Sequence, residues 1–78
     1  MDIEIITPDE TLFEGQCKYA SFPGTDGSLG VLDNHAPLIT TLQAGAVKIV
    51  DENDKETLFD VKGGVVEVMN NKVIVLAE

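Results

Sequence analysis

Short runs rich in Val, Ile and Thr, each closed by a turn signal, constrain this chain more than anything else in it. β-Branched side chains suit a pleated, half-buried surface. The run DIEIIT alternates, with Ile3 and Ile5 on one face and Asp2 and Glu4 on the other. TLFEGQCKYASF reads as one longer strand, Phe13, Cys17 and Tyr19 sharing a parity opposite to Glu14, Gln16 and Lys18. AVKIVD sets Val47 and Ile49 against Lys48, and against Asp51 after the register breaks. TLFDV, VVEVM and KVIVL follow. The last is apolar on both parities, as expected of a strand covered on both sides. No window of a dozen residues carries a helical period.

The punctuation is of the hairpin kind. DENDKE, Asp51 to Glu56, joins two strands with polar residues, and Gly63-Gly64 marks a bend or bulge. Asn70-Asn71 separates VVEVM from KVIVL by two residues that tolerate positive φ, a tight-hairpin signal. Parallel neighbours need long crossover connections. A chain without crossover helices is therefore mostly antiparallel. Seven to ten short strands around one core make a flattened β-sandwich or barrel. Residues 1–78 form a single domain with no repeat, linker or low-complexity segment.

Size and charge exclude several functions. A 78-residue chain that is 44% hydrophobic supports one core. Such a domain buries only roughly 60% of its unfolded surface, which leaves little for a deep, water-excluding active site. The single Cys17 rules out a disulfide framework and a thiolate cluster. MDIEIITPDETLF has no basic stretch before an apolar run, so no signal peptide is expected. The apolar runs fall far short of the ~20 residues that span a bilayer. A soluble, cytosolic protein is expected. Fourteen acids against five basic residues, all lysines, give a formal charge of −9. Polyanion binding needs clustered Lys and Arg to displace counterions, so nucleic acid and anionic lipid headgroups are not expected partners.

The richest segment is GSLGVLDNHAPLITTLQAG, Gly27 to Gly45, which contains the only histidine. A metal site needs three or four ligands, and a triad needs a nucleophile and an orienting acid. His35 has only Asp33 and Ser28 near it in sequence, so a corner histidine bonded to its own loop or to a partner is the better reading. GTDGSLG lacks the following helix and the lysine of a phosphate loop; it reads as a glycine-permitted turn. Lys55, on a hairpin tip, raises the alternative of a lipoyl- or biotinyl-type carrier, but Glu56 does not match the small or Met residue expected beside a modified lysine. Asp51, Glu52, Asp54 and Asp60 lack the glycine of a calcium loop. No catalytic, cofactor or metal residue is assigned. Leu29 to Leu32 and Ala36 to Ile39 bracket a polar corner stiffened by Pro37. A stiff corner of this kind suits a preformed docking surface or the end of the core, and a generic sandwich adaptor is a third reading.

The run from Gly27 to Leu42, followed by Gly45, resembles the signature of the ε subunit of bacterial F-type ATP synthase. The opening IEIITPDETLFEGQCKYASFPGTDGSLGVL and the ending VKGGVVEVMNNKVIVLAE are similar to that family's ends, so the likeness covers the whole chain. The resemblance implies a ten-stranded flattened sandwich. It also implies a non-catalytic rotor subunit of the central stalk that couples the γ subunit to the membrane c-ring during proton-driven synthesis. The subunit would sit peripherally at the cytoplasmic face of the bacterial membrane. Carried over by position, Asp26, Gly27, Ser28 and Leu29 would face the c-ring, and Asn34, His35, Ala36, Pro37 and Leu38 the γ subunit. Two positions depart from the pattern: Ser28 stands where an acid is frequent, and Asp33 where proline is usual, which implies a less rigid corner. Most of the family continues into two inhibitory helices. If Glu78 is the native end, inhibition and ATP sensing through those helices are expected to be absent.

Overall fold

A computed structural model describes residues 1–78; all but the two terminal residues lie in strands or in the connections between them. There are nine strands: β1 (Asp2–Ile6), β2 (Thr11–Gln16), β3 (Tyr19–Gly24), β4 (Gly27–Leu32), β5 (Leu38–Leu42), β6 (Gly45–Val50), β7 (Glu56–Val61), β8 (Gly64–Met69) and β9 (Lys72–Ala77). The count is nine where the resemblance implied about ten. They hydrogen-bond in the order β2-β1-β9-β8-β5-β3-β6-β7, with β4 on β3 off that path. The sheet folds over itself into a flattened body of 27 × 23 × 18 Å.

Two layers follow from this order. One is β2-β1-β9-β8-β5 and the other β4-β3-β6-β7, joined where Gly24 of β3 pairs with Leu42 of β5. At the opposite seam Phe13 of β2 meets Phe59 of β7, with ring centroids 5.6 Å apart and planes tilted by 60°. Between the layers lie Ile3, Ile5, Ala20, Phe22, Val31, Val47, Ile49, Val66, Val68, Val73 and Val75, each at most 2% exposed. Burying each of the Ile, Val and Phe side chains contributes about 1.5–3 kcal/mol. This set supplies most of the force that holds the layers together.

The strand expected over TLFEGQCKYASF is broken in two. The Cys17 amide donates to the Met1 carbonyl and the next amide, Lys18, donates to Val50, both at 2.9 Å. Consecutive residues thus bond to different layers, and the chain crosses between them at this step. Crossing resets the parity, so Ala20 and Phe22 point inward rather than Tyr19. All adjacent pairs are antiparallel except one: β1 and β9 run parallel from Asp2–Lys72 to Ile6–Leu76. The rule against short parallel connections is not violated, because the whole intervening chain joins them. The expectation that KVIVL is covered on both faces fails too, since Leu76 is 53% exposed.

The Asn70-Asn71 hairpin forms as expected, with φ of 52° and 60°. Gly64, with φ 141°, starts β8 where a side chain has no room: an added Cβ would lie 2.1 Å from the Leu76 carbonyl oxygen. Gly64→Ala is therefore expected to lower stability by about 2 kcal/mol or more. Urea unfolding checks this, with a lower midpoint and an unchanged slope.

Candidate functional site

Strand β4 separates the two groups of residues singled out from sequence. Its start is the β3–β4 hairpin, closed by Gly24 opposite Gly27 around Thr25-Asp26. Its end leads into the corner Asp33–Pro37. Five residue steps at about 3.3 Å each put the two groups roughly 17 Å apart. A single ligand does not span them, but two large partners can each take one end.

At the hairpin tip, Asp26, Gly27 and Ser28 are exposed. Gly27 sits at φ 125°, which lets the two-residue turn close. Leu29 differs from these three. It pairs with Phe22 on the inward parity and packs, half-buried, against the core. The tip is additionally bound to the neighbouring strand, where the Thr25 amide donates to Thr41 O at 3.1 Å and the two hydroxyls lie 2.9 Å apart.

The corner is held from three sides. The Asn34 amide donates to Asn71 Oδ1 at 2.7 Å, tying the corner to the β8–β9 turn. Asn34 adopts φ 62°, which asparagine tolerates. His35 is half-buried; its amide donates to Leu32 O at 3.2 Å and its Nδ1 lies 2.7 Å from Ala36 O. Its ring serves its own loop. Ala36 and Pro37 are exposed, whereas Leu38 packs against the core. The third tether comes from Asp33, whose Oδ1 accepts from the Met1 amine at 2.6 Å. The same amine donates to Cys17 O at 2.9 Å. Asp33 therefore acts as an anchor where its replacement of proline had suggested a looser loop.

Sequence reasoning missed a surface beside the corner. On the outer face of the β1-β9-β8-β5 layer, pairing puts Thr41, Val65, Leu76 and Ile6 in one cross-strand row. Ile39, Glu67, Ile74 and Glu4 form the next. Ile39 is 66% exposed, and with Leu76, Ile74, Val65 and Ile6 it makes an apolar field around the Glu67 carboxylate. The exposed Pro37 and Ile39 flank the inward-packed Leu38, so the field begins beside the corner. A hint was present in the double-parity pattern of KVIVL, but the field exists only once β9 is placed between β1 and β8.

Lys55 is exposed at the β6–β7 turn, and its amide is held by Asp51 Oδ1 at 3.0 Å. No helix in the chain is long and apolar enough to cross a membrane.

The sequence model of the family described as ATP synthase, Delta/Epsilon chain, beta-sandwich domain matches residues 1–78. The chain belongs to this family. It is 38% identical over all 78 residues to "ATP synthase epsilon chain 2" of Ralstonia nicotianae, covering 56% of that protein. It is 40% identical over the same span to "ATP synthase epsilon chain" of Brevibacillus brevis, covering 59%. The chain thus spans less than two thirds of these curated relatives. Two solved structures share its fold at 19% identity. One, from the Euglena gracilis mitochondrial ATP synthase (OSCP/F1/c-ring in rotational state 1), has a TM-score of 0.91 over 96% of this chain and 48% of its own. The other, from the Tetrahymena thermophila mitochondrial ATP synthase (central stalk/c-ring), has a TM-score of 0.78 over 97% of this chain and 61% of its own. The family assignment favours the first reading of the sequence over a carrier function for Lys55.

The hydrogen bond that the Met1 amine donates to Asp33 raises the amine above its ordinary value of 8.0, outweighing the opposing effect of burial. A folded-state pKa above the unfolded one stabilises fully below the unfolded value and ceases to do so as pH rises through the folded value. Burial also pushes the Cys17 thiol up, which acts in the same direction. Asp33→Asn removes that hydrogen bond, and with it a lesser charge effect of Asp33 on the Cys17 thiol that acts in the same direction. The variant is expected to be less stable at neutral pH by at most about 1 kcal/mol, because the carboxylate is half-exposed and screened. The difference should vanish above the folded pKa of the amine. Thermal unfolding across the pH range measures it; a difference that persists or grows in alkali contradicts the assignment.

Proposed function

We propose that the chain is the sandwich part of a non-catalytic rotor subunit in a bacterial F-type ATP synthase. It sits peripherally at the cytoplasmic face of the membrane, between the γ subunit and the c-ring. The observation that carries this reading is the division of the exposed candidate residues into two groups at opposite ends of β4, one of them beside an apolar field. Its likeness to ATP synthase epsilon chains, and its shared fold with chains of ATP synthase assemblies that include the c-ring, support it.

In this reading γ docks on the corner Asn34–Leu38 and on the field around Ile39 and Leu76. The ring's polar loops meet Asp26, Gly27 and Ser28. Torque then passes from the ring to γ through β4 and the paired layers. Chemistry plays no part in that transfer. What matters is that the two contact surfaces do not move relative to each other, and a close-packed interior of low compressibility supplies this.

The apolar field should provide the affinity for γ and the tip the registration on the ring. Ile39→Asp and Leu76→Asp are each expected to weaken binding to purified γ by about tenfold or more. Neither should change the unfolding midpoint greatly, because both side chains are exposed. Asp26→Lys at the tip is expected to leave γ affinity unchanged and to alter association with purified c-ring. Titration calorimetry with γ and co-sedimentation with the ring read the two effects separately. Unaltered γ affinity in both field variants would refute the docking face, and failure of the unmodified chain to bind γ at all would refute the rotor assignment.

A further inference from the structure

The layer β4-β3-β6-β7 ends in an edge that nothing protects. Sheet edges are templates for another strand, and proteins ordinarily blunt them with charges, prolines or bulges. The other edges here follow that rule: β2 carries Glu14, and β7 carries Glu56 and Asp60. β4, with the sequence GSLGVL, carries no charge, no proline and no bulge.

The hydrogen bonds that this edge offers can be assigned. Gly24 and Gly27 close the hairpin as a hydrogen-bonded pair, so Gly27, Leu29 and Val31 direct their amides and carbonyls to β3. Ser28, Gly30 and Leu32 direct theirs outward, and all three residues are exposed. Of these groups only the Leu32 carbonyl is engaged, by the His35 amide at 3.2 Å. Three donors and two acceptors remain in a row along one side. Beside them Tyr19 lies over Gly30, so close that a Cβ there would be 2.7 Å from its hydroxyl, and Leu32 stands 61% exposed. An added strand would find backbone partners at the edge and an apolar ledge on the outer face.

We propose that β4 is a site of β-augmentation, which accepts an extended segment of a positively charged polypeptide as an additional strand. The charge of that segment follows from the edge's surroundings. Asp26 stands at one end without an ion-pair partner and Asp33 at the other, on a chain of net charge −9. A second copy is the wrong occupant. Antiparallel self-pairing would bring Asp26 of each copy to the Asp33 corner of the other, and two strongly acidic bodies repel. The site is a property of the isolated chain and holds whether or not the chain acts in a rotor.

The test uses the isolated protein and a capped heptapeptide, Lys-Thr-Val-Thr-Val-Thr-Lys. Controls are the same peptide N-methylated at alternate residues and a version with Glu at both ends. Amide hydrogen exchange by NMR is expected to slow at Ser28, Gly30 and Leu32 on adding the lysine peptide, and at no amide of β2 or β7. Ser28→Pro removes one outward donor without touching the β3–β4 ladder, and proline is tolerated on an edge. It is expected to weaken peptide binding about tenfold. The methylated peptide serves the same purpose should that variant fold poorly, and is expected not to bind. Absence of protection at millimolar peptide, equal binding of the methylated or the glutamate peptide, or protection at β2 or β7 would each overturn the proposal. So would concentration-dependent protection of β4 with no peptide present, which would make the occupant a second copy.

Discussion

Strand β3 must satisfy three neighbours at once, and the rest of the sandwich is arranged around that demand. Along one side it pairs throughout with β4. Along the other it pairs with β6 from Tyr19 to Ser21, then leaves it and meets β5 at Gly24. Phe22 and Pro23 lie between these two partners; Phe22 turns its amide to β4, and Pro23 has no amide to leave unpaired at the point where no strand is alongside. Its carbonyl is still used, by the Gln43 amide at 2.8 Å. Gly24 has to be glycine, because a Cβ would lie 2.6 Å from the Gly27 carbonyl oxygen. On the outer face Pro23 lies so close to Gly45 that a Cβ there would be 2.8 Å away. The sequence FPG, together with the glycine that opens β6, is thus the joint between the layers. Ala20 and Phe22, on the inward parity of the same strand, pin that joint to the core.

This joint explains which parts of the fold were legible beforehand. Alternation within a strand and the residues of a two-residue turn are local, so Ile3, Ile5, Val47, Ile49 and the Asn70-Asn71 hairpin could be read directly. The break after Gln16 could not. Nothing in the composition of TLFEGQCKYASF distinguishes one strand of twelve residues from two that belong to different layers. The distinction lies in where the amides of Cys17 and Lys18 find acceptors, and these belong to Met1 and Val50. The parallel pairing of β1 with β9 is likewise a property of the closed topology, and no short-range pattern encodes it.

The candidate site divides in the same way. The tip and the corner could be located in the sequence because glycines and Pro37 mark them. The apolar field could not, because it is assembled from four strands. Ile6, Leu76 and Val65 become neighbours only through one parallel and one antiparallel register. Read in its own strand, Leu76 is the fourth apolar residue of a run and looks like core. In the structure it lies opposite Ile6 on the solvent side, and Val73 and Val75 take the interior. An apolar run that exceeds what its buried face needs is therefore the trace such a surface leaves in sequence.

Asp33 shows how stiffness at the corner can be achieved by different means. A proline at this position would restrict the corner through its own ring, independently of the rest of the molecule. An aspartate does so only if it finds a partner, and here the partner is the amine of Met1, a residue that is itself 6% exposed and part of the core. Together with the Asn34–Asn71 bond, this ties the corner to the first residue of the chain and to the β8–β9 hairpin. Those two elements flank the same end of β1 and β9, where Asp2 pairs with Lys72. A load applied at the corner is consequently shared with the central strands of the layer that carries the apolar field. The rigidity of this surface depends on an ion pair and one long-range hydrogen bond, and so on the integrity of the whole sheet.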